Sequence, residues 1–303
     1  MKEELKEELT HLLSRPVKWD CSLREYTSFR IGGPAVALTA VVNVEELQDV
    51  LQFAQLHNIP FRIIGRGTNL LVRDQGYSGI AILLAGEFKQ YTLGRSADAI
   101  FLEAGAGCSL TRLSVLCMEK GIAGLEFAIG IPGSVGGAAA MNAGAWGVEI
   151  GDIVESIAVM TSQGIQQITR NEMRFEYRKM YLPSVEAIIV TSVKLRLVKG
   201  NTEEIRIRCT DYREQRLEKQ PIGTANAGSI FKNPQGTSAG QLIDASGLKG
   251  MAIGDAVVSE KHANFIVNRG KARASEVLEL IKYIQKKVKE DSGIELEPEV
   301  QII

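Results

Sequence analysis

The chain has 303 residues, 45% hydrophobic and 23% charged, with a formal net charge of -1 at pH 7. That is the composition of a globular protein able to bury a core, with room for one large domain or two modest ones. The near-neutral balance excludes a global basic field for nucleic acid or an anionic membrane surface, and no run approaches the roughly 18 apolar residues of a membrane span.

The start, MKEELKEELTHLL, is charged and amphipathic, without the apolar stretch of a secretory signal, so a reduced cytoplasmic location is expected. Residues 3–14 read as a short helix with Leu5, Leu9, Leu12 and Leu13 on one face. Asn43 can cap a second helix and Glu46 can complete a capping box; Leu47, Val50, Leu51 and Ala54 follow at helical spacing. IPFRIIG (59–65), GIAILL (79–84) and AIFLEAG (99–105) read as strands, and Leu110, Leu113, Leu116 and Cys117 mark another helix. The cysteines, Cys21, Cys108, Cys117 and Cys209, form no C-x-x-C pair, which argues against zinc and thioredoxin-type chemistry. Cys117, on the apolar stripe, reads as a buried inert thiol. After a small-residue tract come two strand-like segments, VESIAVMTSQG (154–164) and AIIVTSVKLRLV (187–198). A charged helix over 202–219 follows, then a helix from about 275 to 290 with Val277, Leu278, Ile281, Ile284 and Val288 inward. The chain closes on GIELEPEVQII, a strand interrupted by Pro298. Helices and strands mix without βαβ alternation, which favours α+β. The change from strand to charged helix near 198–202 is the best domain boundary.

Two glycine loops stand out. IIGRGTNLLV (63–72) sets Gly65 and Gly67 directly after a strand, where they allow positive φ and close backbone approach. Successive amides in such a turn can form an anion nest; a plain turn between strands is the alternative. IGIPGSVGGAAAMNAGAWG (129–147) carries Gly130, Gly133, Gly136 and Gly137 ahead of three alanines. A backbone this bare suits a large flat ligand, or close packing of helices. It is neither a Walker A loop nor a clean G-x-G-x-x-G.

Taken in order, TSFRIGGPA (27–35), GRGTNLLV (65–72), GLEFAIGIPGSVGGAAAMNAGAWG (124–147), FEYRKMY (175–181), AGSIFKNP (227–234), HANFIVN (262–268) and LEPEV (296–300) closely resemble the UDP-N-acetylenolpyruvoylglucosamine reductase family. The glycine-rich tract alone resembles only the wider FAD-binding PCMH-type, vanillyl-alcohol-oxidase-like fold. The resemblance implies an α+β protein: an N-terminal helical segment (1–19), a two-lobed FAD-binding PCMH-type domain (20–198) and a C-terminal α+β substrate-binding domain (199–303). It implies FAD held by Gly65, Arg66, Gly67, Thr68, Asn69 and Leu70, with the first loop around the pyrophosphate. Gly130, Ile131, Pro132, Gly133, Ser134, Gly136, Gly137 and Ala138 would lie along the flavin and the rest of the cofactor. The tract holds no histidine, so attachment would be non-covalent. The short run from Tyr177-Arg178 to the next strand resembles the family's second, shorter type. Arg66 stands where the family pattern has a small residue, and Gln301 where it has an arginine.

The implied reaction is NADPH-dependent reduction of UDP-N-acetylglucosamine enolpyruvate, a step of peptidoglycan precursor synthesis, with no nucleic-acid partner and no membrane insertion. Hydride delivery to the enolpyruvyl ether leaves carbanionic charge that spreads into the carboxylate, so the protein must stabilise charge and donate a proton. By resemblance Arg178 would pair with the carboxylate, Ser229 would donate the proton, and Glu299 would hydrogen-bond the enolate or anchor the site. By position alone Arg178 reads as a surface arginine, Ser229 as a turn residue and Glu299 as a solvated terminal glutamate; Glu297 is the rival acid. Arg216 and Lys219 share a helical face and would meet the substrate diphosphate, or else solvent. Tyr177, Asn233 and Asn264 are further substrate candidates, while His262 reads as structural. Another FAD oxidoreductase would need the same glycines but not Arg178, Ser229 and Glu299 together. A non-catalytic nucleotide-binding protein would need no proton donor.

Overall fold

The helices expected at 3–14, after Asn43, around 110–117, at 202–219 and at 275–290 lie close to where apolar spacing and capping chemistry set them; the short helices at 135–140 and 239–245 are not among the expected ones. In a computed structural model that describes residues 1–183 and 189–303, the α-helices are α1 (Glu3–His11), α2 (Val44–Leu56), α3 (Leu110–Glu119), α4 (Val135–Ala140), α5 (Thr202–Lys219), α6 (Ala239–Ala245) and α7 (Ala274–Ser292). Asn43 Oδ1 accepts the Glu46 amide at 2.8 Å and starts α2. The expected reciprocal half of that capping box does not form. The Glu46 carboxylate accepts instead from the amides of Val42 and Ser14, at 2.9 and 3.0 Å, and so ties the segment after α1 to the start of α2. Asn201 Oδ1 starts α5 in the same way. Gly293, at φ +74°, ends α7 in the left-handed region.

The chain divides into two units. The first comprises Met1–Lys18, Leu38–Gly65 and Ile80–Gln215; the second comprises Trp19–Ala37, Arg66–Gly79 and Arg216–Ile303. The first glycine loop therefore straddles a division, with Gly65 in one unit and Arg66–Asn69 in the other.

The first unit is built on an antiparallel sheet in the order Gly164–Thr169, Val154–Thr161, Ile189–Lys199, Ile100–Gly105, Tyr91–Arg95. Phe61–Ile64 runs parallel to the segment from Ile80. α3, α4 and the sheet share a core that includes Leu102, Leu110, Cys117, Val135, Ile157 and Leu195. Several strands are not among those expected from sequence, Lys18–Ser22, Pro34–Val41, Tyr91–Arg95 and Gly164–Thr169 included. Residues 154–164 read as one strand, but the chain turns at 162–163, where Thr161 pairs with Gly164. Tyr91–Arg95 is exposed throughout and shows no alternation of apolar residues. The expected strand over 187–198 is present from Ile189; residues 187 and 188 lie outside the described residues.

The second unit holds an antiparallel sheet in the order Ala225–Ser229, Phe265–Asn268, Ala256–Val258, Ala252–Ile253. α7 buries Val277, Leu280, Ile281, Ile284 and Val288 in its core; Leu278 packs there only partly. Asp74 holds the N-terminus of α7, accepting from the amides of Ala274 and Ser275 at 2.8 and 2.9 Å. The expected terminal strand is much shorter than its apolar run. Only Gln301–Ile302 is regular, paired in parallel with Leu70–Leu71. Upstream, Pro298 has no amide to donate, and the backbone reduces to an isolated bridge between Phe231 and Pro298.

Candidate active site and cofactor cradle

In the first unit the glycine tract is fixed by its own backbone. The amides of Val135 and Gly136 donate to the carbonyls of Cys108 and Ala106, both at 2.9 Å, and Ser134 Oγ accepts the Gly137 amide at 3.3 Å. The first turn of α4 is thus spent on the protein. What the tract offers is a surface almost without side chains, with Gly137 and Pro132 exposed, Gly130, Ile131 and Gly133 half-buried, and Ser134, Gly136 and Ala138 buried. Glycine is required at two of these contacts. A Cβ on Gly65 would stand 2.5 Å from Ser134 Oγ, and one on Gly136 would stand 2.6 Å from Ala106 Cβ.

The remainder of the first loop lies in the second unit. Gly67 sits at φ +61°, and a Cβ there would collide with the Tyr26 carbonyl. Ser28 braces the loop: its amide donates to the Gly67 carbonyl at 3.1 Å and its hydroxyl to the Asn226 carbonyl at 2.6 Å. Among the described residues, none accepts a hydrogen bond from the amides of Arg66, Gly67 or Asn69. Unclaimed donors beside a side-chain-free backbone fit a diphosphate, and the bare glycine–alanine surface fits a flat ring system.

Arg178 occupies a two-residue turn between Arg174–Glu176 and Lys179–Tyr181, strands that pair Glu176 with Lys179. It adopts φ +60°, a conformation that disfavours side chains. Its guanidinium donates to the Gly144 carbonyl at 3.3 Å, lies 3.8 Å from Glu149 Oε1, and sits over the Tyr177 ring at 4.8 Å. Glu149 in turn accepts from Asn142 Nδ2 at 2.5 Å. Asn142 reads from sequence only as part of the small-residue tract, and Glu149 lies just beyond its end with no reading of its own. Their link to Arg178 spans about 30–40 positions and has no local signal.

In the second unit Ser229 is the last residue of its strand, set off by a bulge. Asn226 pairs with Val267 and Ser229 with Phe265, so one extra residue is accommodated at Ala227–Gly228. Gly228 takes φ +76°, and its amide donates to Asn226 Oδ1 at 2.9 Å. Such bulges re-aim the side chain that follows. The Glu299 amide donates to the Ile230 carbonyl at 2.7 Å, which brings the backbone of Glu299 beside that of Ser229. Asn69 joins the same cluster, its side chain donating to the Glu299 carbonyl at 3.1 Å and its own carbonyl accepting from Gln301 at 3.0 Å. Thr68 is half-buried there, and Leu70 is buried where it pairs with Gln301. Glu297 is 70% exposed in its side chain and ion-paired to Lys232.

Asn264 is buried and spends its amide group on the backbone of one residue: Oδ1 accepts the Phe231 amide at 2.9 Å and Nδ2 donates to the Phe231 carbonyl at 2.8 Å. Asn233 Oδ1 accepts the Ala239 amide at 3.1 Å, at the start of α6. His262 Nδ1 accepts the Asn264 amide at 3.2 Å, and burial draws its pKa below the usual range, with Lys249 adding to the effect. Arg216 and Lys219 fall in the last turn of α5. Arg216 donates to Gln220 Oε1 at 3.3 Å, yet its buried Nε finds no acceptor among the described residues. Burial also lowers the Arg216 pKa. A buried Nε–H with no acceptor is what an anionic ligand satisfies. Cys117 is buried as expected, its thiol pushed up to about 12 by burial.

The first unit carries a bare glycine–alanine surface and the second a turn with unclaimed amides, each suited to a part of FAD. Family profiles agree with both halves: one described as an FAD binding domain matches residues 35–169, and one described as UDP-N-acetylenolpyruvoylglucosamine reductase, C-terminal domain, matches residues 220–303. The UDP-N-acetylenolpyruvoylglucosamine reductase of Syntrophus aciditrophicus is 44% identical over 300 residues, covering 99% of this chain and 96% of that protein. The enzyme of the same name from Clostridioides difficile is 40% identical over 297 residues, covering 97% and 96%. The crystal structure of the Thermus caldophilus reductase superposes with a TM-score of 0.81 at 39% identity, covering 96% of this chain and 99% of that one. The chain belongs to the UDP-N-acetylenolpyruvoylglucosamine reductase family, and is an FAD-containing oxidoreductase of peptidoglycan precursor synthesis. Among the described residues, no helix is long and apolar enough to cross a membrane.

Proposed function

We propose that this chain reduces UDP-N-acetylglucosamine enolpyruvate to UDP-N-acetylmuramate at the expense of NADPH, in the cytoplasm, through Arg178, Ser229 and Glu299. In this assignment residues 20–198 serve FAD and residues 199–303 serve the substrate. The observation that carries the assignment is the bulge at Gly228, which sets a serine hydroxyl off its strand beside the backbone of Glu299. FAD, held non-covalently, supplies the hydride chemistry when bound. Gly65, Arg66, Gly67, Thr68, Asn69 and Leu70 hold its diphosphate side, and Gly130–Gly133, Ser134, Gly136, Gly137 and Ala138 form or support the surface it lies on.

The remaining work belongs to side chains. Arg178 pairs with the substrate carboxylate, which holds the charge as the neighbouring carbon becomes carbanionic. Ser229 Oγ passes its proton to that carbon. A neutral hydroxyl suffices, because the acceptor is strongly basic; no histidine is required. Glu299 hydrogen-bonds the same charge, or holds Ser229 and the substrate in register. It is preferred to Glu297, whose carboxylate is solvated and paired with Lys232. Arg216 and Lys219 take the diphosphate, with Tyr177 and Asn233 completing the substrate contacts. Asn264 acts one step back, by fixing the Phe231 peptide two residues beyond Ser229.

The test is stopped-flow spectroscopy of Ser229→Ala. Flavin reduction by NADPH is expected to survive, and reoxidation by the enol ether to fall by about 100-fold or more, the typical worth of a positioned proton donor. Normal rates in both half-reactions would remove Ser229 from the role.

A further inference from the structure

We infer that Glu149, itself held by Asn142, is a positioning residue that aims the guanidinium of Arg178. The inference rests on the reading of Arg178 as the carboxylate partner.

The geometry is a relay of three polar side chains in the first unit. Asn142 is buried, at φ +43°, with its amide group fully used. Oδ1 accepts the Gly151 amide at 3.0 Å, while Nδ2 donates to Glu149 Oε2 at 2.5 Å and to the Glu176 carbonyl at 2.9 Å. One asparagine therefore fixes both the carboxylate of Glu149 and the strand that ends two residues before Arg178. Glu149 is anchored again through its own amide, which donates to Asp152 Oδ2 at 2.8 Å. Its other oxygen, Oε1, faces Arg178 Nη1 at 3.8 Å. The Gly144 carbonyl holds Nη2 from the paired strand, since Gly144 pairs with Glu149. A Cβ on Gly144 would stand 2.7 Å from Glu149 Cγ, so the glycine is what lets that carboxylate pack there.

A flexible arginine on a turn in the left-handed region would sample many rotamers. Here two fixed acceptors on one hairpin restrict it. The Glu149 charge also offsets part of the cost of withdrawing this half-buried guanidinium from water before substrate arrives. The ion pair is loose enough, at 3.8 Å, for an incoming carboxylate to compete for the fork.

A double-mutant cycle on the FAD-loaded enzyme tests this, using Glu149→Gln and Arg178→Lys. Glutamine can still accept from Asn142 but presents no charge to Arg178. Glu149→Gln alone is expected to slow flavin reoxidation by the enol ether by between about 10- and 100-fold, the cost of an approximately 1 Å misplacement. In the Arg178→Lys background the same change is expected to cost no more than about twofold, the scatter of independent sites. The dissociation constant of the enol ether for the oxidised enzyme, read from flavin absorbance, is expected to weaken with the same dependence on background. Equal losses in both backgrounds, or no loss from Glu149→Gln, would overturn the positioning role. Arg178→Lys with wild-type reoxidation would overturn the reading of Arg178 itself, and this inference with it.

Discussion

Asn264→Ala separates a residue that positions the site from one that touches substrate. Asn264 makes both of its side-chain hydrogen bonds to Phe231, at 2.9 and 2.8 Å, and both residues are buried. The adjacent Ile230 amide donates to the Asn264 carbonyl at 2.8 Å, a contact alanine would keep. Truncation leaves one buried N–H and one buried C=O without partners, each costing about 1–3 kcal/mol. A total near 3 kcal/mol follows, or a fall in melting temperature of roughly 10 °C or more for a second unit of about 120 residues. Urea titration should show a lower midpoint with an unchanged slope. The loosened peptide is two residues beyond Ser229, so flavin reoxidation by the enol ether should slow while KM moves little. A raised KM with an unchanged melting temperature would refute the reasoning, because it would make Asn264 a substrate contact rather than a clamp.

Arg178→Gly should leave the melting temperature almost unchanged, since relief of about 1–2 kcal/mol of left-handed strain offsets the added chain entropy and the lost contacts; turnover should collapse, and retained turnover would remove the guanidinium from the chemistry. His262 concerns pH. Its pKa is lowered in the folded protein by burial, so the unfolded chain binds the extra proton first and stability declines as pH falls below about 6.5. Thermal melts of His262→Gln should therefore decline less than the parent between about pH 6.5 and 5, where the free imidazole titrates; parallel curves would show that His262 is not the group responsible.

Ser229 shows how far local reading carries. AGSIFKNP reads in isolation as a bend. The serine in fact ends a strand, and the bend is a bulge one residue earlier, where Gly228 supplies the positive φ. The glycine was visible; the bulge was not, because it is defined by the partner strand some 40 positions on. Arg178 has the same character. Its motif resembles that of a known family and its turn strain belongs to its own hairpin, but its pairing with Glu149 depends on a second hairpin formed by a different stretch of chain. Glu46 is the converse case. Its spacing from Asn43 reads as a capping box, yet the carboxylate reaches past the cap to Val42 and Ser14, a segment no local pattern connects to it.

The sequence by itself determined the five longer α-helices, several strands of the first unit, the α+β class and the family. Those follow from period, capping residues and motif order, all short-range properties of the chain. Only the tertiary structure decided which polar groups are spent and which are left over. It committed the first amides of α4 to the protein, left those of Arg66, Gly67 and Asn69 without an acceptor among the described residues, turned Asn264 into a clamp, and joined Asn142 and Glu149 to Arg178. The physical reason is that a hydrogen bond requires a partner at about 3 Å. When that partner lies tens of residues away, its identity is set by packing and cannot be read from either segment alone.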